Sequence, residues 1–119
     1  MILSVVFLLL LCNNGEVKKK IEIDQRALKE IDKFDEEVQV RITAALDVLA
    51  RDGFLKEPYG KRIDNDIFEI RIKYKGQYRA LYAYLKKGII VVLSAFRKKT
   101  QKTPLKEIKK AKLRLSQHI

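Results

Sequence analysis

The sequence predicts an α+β fold: a helical hairpin packed on a small antiparallel β-sheet meander, with a further helix at the C-terminus. Three observations carry that prediction. Apolar residues recur at helical spacing between Ala27 and Leu49, alternate with charged residues from Phe68 to Tyr74, and run almost unbroken from Ile89 to Phe96. The last run stops abruptly at Arg97-Lys98-Lys99-Thr100-Gln101-Lys102-Thr103-Pro104, so a buried strand is expected to fix a cationic cluster at its end. Such a cluster suits an anion.

In chain order, Met1 to Cys12 comes first and is almost wholly apolar. A bilayer span needs about 20 residues, so the segment is too short for an ordinary transmembrane helix. A secretory signal wants positive charge before its apolar core and small residues at the cleavage site, and this segment offers Leu9, Leu10 and Leu11 before Cys12 instead. We expect the natural product to begin near Val17. Residues 1–16 are then a hydrophobic extension, either a mis-assigned start or an added strand, and residues 17–119 form one domain.

Lys18-Lys19-Lys20-Ile21-Glu22-Ile23 alternates with period two and reads as a short edge strand whose lysines discourage further pairing. Asp24 offers an N-cap to a helix carrying Ala27, Leu28, Ile31 and Phe34 at helical spacing. Asp35 is placed to cap a second helix, whose stripe of Val38, Ile42, Leu46 and Leu49 is stopped by Gly53. A loop containing Pro58 and Gly60 follows. In Phe68 to Tyr74, alternation puts Phe68, Ile70, Ile72 and Tyr74 toward the helices and Glu69, Arg71 and Lys73 on the other face. Gly76 and Gly88 turn the chain into Tyr78–Tyr84 and then Ile89–Phe96, completing the meander. Tyr78, Tyr82 and Tyr84 share one face and read as core, which leaves Tyr59 and Tyr74 as candidates for exposure. Thr103 as N-cap and Pro104 at the first helical position start the last helix, with Leu105, Ile108, Ala111 and Leu115 near one face.

The charge narrows the choice of partners. The formal charge of the 119 residues is +11, from 26 Lys and Arg against 15 Asp and Glu. It is unevenly placed: Asp24–Asp52 is mildly acidic, whereas Arg97–Arg114 carries nine bases against the single acid Glu107. A concentrated cationic field favours phosphate-rich partners. Cys12 is the only cysteine and His118 the only histidine, which excludes an internal disulfide and a zinc cluster of thiolates and imidazoles. His118 is the second-last residue, where chain ends fray, and is a poor candidate for a catalytic triad.

The order of strand, helical hairpin, three-stranded meander and basic strand end resembles the RelE/HigB toxin superfamily, closest to its phage-derived HigB-like branch. Phe68-Glu69-Ile70-Arg71, Tyr78-Arg79-Ala80-Leu81-Tyr82 and Ala95-Phe96-Arg97-Lys98-Lys99-Thr100-Gln101-Lys102-Thr103-Pro104 carry the resemblance, over roughly Lys18 to Arg114. It implies a toxin of a type II toxin-antitoxin system and a metal-independent, cofactor-free endoribonuclease that cuts messenger RNA on the ribosome. It also implies a cytoplasmic protein without membrane contacts, whose partner is a cognate antitoxin, a helix-turn-helix protein of the HigA type encoded alongside.

In that chemistry the ribose 2′-hydroxyl attacks the adjacent phosphate. The reaction needs a base, cations for the extra phosphate charge and a proton donor for the leaving oxygen. The family's basic strand positions fall on Arg71 and Arg79. The base is open between Lys98 or Lys99, either of which serves only if neighbouring cations depress its pKa, and Glu69, a carboxylate beside Arg71 that otherwise reads as an ion-pair partner of Arg71 or Arg79. Lys61, Arg62, Lys73, Arg97 and Lys102 are the expected RNA-backbone contacts. Two alternatives share the fold: a non-nuclease toxin that poisons DNA gyrase, and a catalytically inactive RNA-binding module.

Overall fold

The computed structural model of the protein describes residues 19–119, so the expected start near Val17 and the reading of residues 1–16 fall outside the described residues. The elements are β1 (Lys20–Ile23), α1 (Gln25–Asp32), α2 (Glu36–Asp52), β2 (Gly60–Arg62), β3 (Phe68–Lys73), β4 (Gln77–Tyr84), β5 (Ile89–Lys98) and α3 (Leu105–Ser116).

Local chemistry sets the ends of the first two helices. The Asp24 carboxylate accepts the Arg26 backbone N–H at 2.8 Å, which satisfies one of the free donors at the start of α1. Gly53 ends α2 in the left-handed region, at φ 84°, where a side chain would be strained. Asp35 occupies the N-cap position of α2, but its side chain makes no capping bond.

The five strands form one sheet in the order β1-β5-β4-β3-β2. β3, β4 and β5 make the expected antiparallel meander, while β1 lies parallel to β5 at one edge. β2, at the other edge, was expected as loop. Its three residues are too few for alternation to show, and pairing with β3 makes them a strand. A register shift between Leu81 and Tyr82 adjusts the longest pairing, that of β4 with β5.

Two cores flank the sheet. Ile70, Ile72, Ala80, Tyr82, Ile90 and Val92 pack with Ile31, Ile42, Leu46 and Leu49 of α1 and α2. On the other face Leu81, Ala83, Val91 and Leu93 pack with Ala111 and Leu115 of α3. Each fully buried Ile or Leu contributes roughly 1.5–3 kcal/mol, so the hairpin side carries most of the stability. Tyr78 and Tyr82 are core, as expected, and Tyr84 is half-buried.

α3 departs from expectation at its start. Pro104, not Thr103, takes the N-cap position, and Leu105 is 64% exposed. The helix rests on β4 and β5, leaving the rest of that sheet face to the polar residues of β3 and the strand ends. Beyond β1, the edge of β5 is closed by side chains. Glu30 of α1 accepts the Ala95 N–H at 3.1 Å, and Arg114 of α3 donates to the Leu93 carbonyl at 2.9 Å. The two side chains meet in a bidentate pair at 2.9 and 3.1 Å. His118, expected to fray, lies 2.8 Å from the Asp24 carboxylate through Nε2.

Candidate active site

Strand alternation brings one group of charges to the half of the sheet face that α3 does not cover. Pairing sets Lys61 opposite Glu69, Arg71 opposite Arg79, Lys73 opposite Gln77, and Gln77 opposite Lys98. Two arginines directly opposite each other repel, so the arrangement needs an anion between them. Glu69 supplies it. Only 2% exposed, it accepts a hydrogen bond from Arg71 Nε at 2.8 Å through Oε2, and its Oε1 lies 3.7 Å from Arg79 Nε.

A third contact completes the carboxylate. Thr103 Oγ1 donates to Glu69 Oε1 at 2.7 Å, which ties the start of α3 to the arginine pair. This bond replaces the helix cap expected of Thr103.

Arg79 is 6% exposed. Its Nη1 donates to the Tyr78 carbonyl at 3.0 Å and to Gln77 Oε1 at 3.3 Å, while Nε is buried without a hydrogen-bond acceptor. Burial lowers the pKa of this guanidinium, the Glu69 charge opposes that shift, and Arg71 adds to it. It remains cationic, because an arginine titrates far above neutrality. The residue is a desolvated positive charge with spare donor capacity.

Lys98 sits half-buried at the end of β5 and donates to the Gln101 carbonyl at 2.6 Å. Burial pushes its ammonium pKa down, as do the charges of Arg79, Arg71 and Lys61, with Glu69 opposing. A lowered ammonium pKa leaves more of the neutral amine, the form that accepts a proton. Arg71, Arg79, Lys98 and Glu69 therefore form one cluster, with Lys61 exposed beside it on β2 and Lys73 exposed on β3.

The other expected residues are placed differently. Lys99 and Lys102 are exposed in the segment between β5 and α3. Arg97 falls on the hairpin side of β5, opposite Tyr78, with its guanidinium 5.7 Å from that ring and bonded to the Lys75 carbonyl at 3.2 Å. Arg62 spans the β2–β3 loop, donating to the carbonyls of Asp64 at 3.1 Å and Asn65 at 2.9 Å. Neither arginine joins the cluster. Sequence reasoning missed two members. Gln77 was in phase with Arg79 on β4, so alternation was a usable signal, whereas Thr103 before Pro104 looks the same as a cap or as a ligand of Glu69.

A cleft of about 990 Å³ runs from the arginine pair over the part of β3 that β2 does not pair, toward α2. Val48, Phe54, Tyr59 and Ile72 line it together with Arg71 and Arg79. Guanidinium groups suit the non-bridging oxygens of a phosphate, and an amine beside them is placed to move a proton.

Among the described residues no helix is long and apolar enough to cross a membrane. No curated protein is matched by this chain. Among solved structures, the chain is similar to an arginine-to-alanine double mutant of the E. coli toxin RelE in its free state. The two are 20% identical, with a TM-score of 0.60, covering 86% of this chain and 98% of that one. The family model described as phage derived protein Gp49-like matches residues 29–116. With the RelE fold and the α+β expectation both borne out, the chain belongs to the phage derived Gp49-like family and shares its fold with the toxin RelE.

Proposed function

We propose that this protein is the toxin of a type II toxin-antitoxin pair and acts as an endoribonuclease on messenger RNA at the ribosome. The observation that supports the reading most is the imbalance at Glu69: one buried carboxylate faces Arg71 and Arg79, with Lys98 and Lys61 close by. Positive charge in excess on an open sheet face suits the dianionic phosphorane-like transition state of 2′-hydroxyl attack.

In this reading Arg79 and Arg71 hold the scissile phosphate and take up the charge that develops on it. Lys98, in its neutral form, removes the 2′-hydroxyl proton, and a protonated side chain or water supplies the proton that the leaving 5′-oxygen needs. Glu69 orients both guanidiniums. Its oxygens are already engaged by Arg71 and Thr103, which fits a positioning residue better than a base. The reaction uses no metal in this scheme. The partner is a cognate antitoxin of the HigA helix-turn-helix type, and the site of action is the cytoplasm.

Induced expression in bacteria, with primer-extension mapping of cellular messages, tests the proposal. New cuts inside translated regions with wild type, and none with Arg79→Ala at equal protein level, are the expected result. Growth arrest with intact messages would sink the ribonuclease reading in favour of a non-nuclease toxin.

A further inference from the structure

Tyr59 is 66% exposed and Phe54 50%, although both line the cleft that ends at the arginine pair. The backbone beneath Tyr59 is firmly held. Its carbonyl accepts the Arg71 N–H at 2.8 Å, and the N–H groups of Tyr59 and Gly60 donate to the Lys56 carbonyl at 2.9 and 3.0 Å. A side chain at Gly60 would meet Leu55 Cβ at 2.5 Å, so the turn closes more tightly than any residue but glycine permits. The root of the Tyr59 ring is thus bonded to the residue that carries one guanidinium, while the ring itself stays open to solvent.

One cleft therefore joins cations that suit phosphate to an aromatic face that suits a nucleobase. Its volume, about 990 Å³, lies at the upper end of the range for small-ligand sites, roughly 300–1,000 Å³. The proposed reaction gives such a platform a purpose. In-line displacement needs the 2′-oxygen, the phosphorus and the leaving oxygen on one line, and continuous base stacking holds them off it. Drawing one base aside is unfavourable, and stacking on an aromatic ring offsets much of that cost.

We infer that Tyr59, flanked by Phe54, is the stacking platform for a nucleobase next to the scissile phosphate of single-stranded RNA. The inference rests on the ribonuclease reading for the identity of the anion. It makes Tyr59 a substrate-positioning residue that tolerates every base, because each base has a π-face.

The test is the binding of eight-nucleotide 2′-O-methyl RNAs, which cannot be cleaved, at low salt by fluorescence anisotropy. The full chain is compared as wild type, Tyr59→Phe and Tyr59→Ala, against the intact oligonucleotide and a set with one abasic position each. Tyr59→Ala is expected to weaken binding roughly 5- to 100-fold and Tyr59→Phe by less than about twofold. One abasic oligonucleotide should lose the same factor with wild type and lose nothing more with Tyr59→Ala, since both changes delete the same contact. Equal affinity of wild type and Tyr59→Ala overturns the inference and leaves the cleft to an apolar peptide. A Tyr59→Ala loss repeated in full on every abasic oligonucleotide also overturns it, as does a wild type that binds none of them. The ribonuclease reading fails separately: a platform that binds as expected in a protein that leaves cellular messages intact retains Tyr59 and discards catalysis.

Discussion

Two carboxylates in this protein are ringed by cations, and the difference between their surroundings separates structure from function. Glu30 bridges α1 and α3 across the edge of β5, where Arg114 and Lys110 meet it and the Ala95 N–H shares its oxygens. Those cations have other partners as well: Arg114 donates to the Leu93 carbonyl, and Lys110 pairs with Glu107 at 3.0 Å. Around Glu30 the charges balance. Glu69 instead stands against Arg71 and Arg79, with Lys98 close enough to be shifted by the same charges. Excess positive charge kept out of water is unfavourable for folding alone. It is tolerable when a polyanion completes the site.

The comparison breaks first, and by the largest factor, at Lys98. Lys98→Met is expected to slow single-turnover cleavage roughly 10²- to 10⁴-fold, the usual contribution of a general base. Because its surroundings lower the lysine pKa, the neutral amine gains population as pH rises, so the wild-type rate should climb toward alkaline pH. That limb should vanish in the variant; a pH profile of unchanged shape would remove Lys98 from the role of base. Arg79→Ala follows, with a loss of about 10²- to 10³-fold, typical of one transition-state donor. Its melting temperature should stay within a few degrees of wild type, since Glu69 keeps Arg71 and Thr103 as partners.

Much of this arrangement was legible in the sequence. Strict alternation from Phe68 to Tyr74 placed Glu69 and Arg71 on the face away from the hairpin, and the abrupt end of the Ile89–Phe96 run marked where Lys98 would sit. Alternation also applies to Arg97, which it sends to the other side of β5; a run of bases in sequence is not one patch in space. The Glu30 clamp was not readable, because nothing local pairs a residue of α1 with one 84 positions later. Nor was the parallel neighbour of β5, since pairing between the first and last strands depends on the whole sheet closing.

Breaking the balanced cluster should act on stability. Arg114→Ala leaves Glu30 partly desolvated without its bidentate partner, and is expected to cost roughly 2–4 kcal/mol in urea denaturation. Activity per folded molecule should not change. Acid addresses the same region. Burial raises the Glu30 pKa, but Arg114, the Ala95 N–H and Lys110 together hold it below its ordinary value. The Arg26 side chain, against burial and with help from His118, holds Asp24 far below its own. Depressed carboxylate pKa values contribute stability that is complete above the unfolded values of about 4 and is lost as pH falls toward the folded ones. Urea midpoints should therefore drop steeply below about pH 4, and Asp24→Asn should flatten that fall.

The smallest effect sharpens the comparison most, because it touches the active cluster through a neutral group. Thr103→Val removes the hydrogen bond to Glu69 Oε1 while keeping the shape of the side chain. A bond to a charged acceptor contributes about 1.5–3 kcal/mol at most, and Glu69 retains Arg71, so a stability loss near 1 kcal/mol is expected. Glu69 would then be free to turn, and both guanidiniums with it. Cleavage should fall by about 3- to 10-fold while the alkaline limb assigned to Lys98 stays in place, since misplacing a group costs less than deleting it. Thr103→Ser keeps the donor and should restore the rate. If serine is as deficient as valine, the threonine methyl and its packing matter instead, and the start of α3 positions the arginines by contact rather than through the carboxylate.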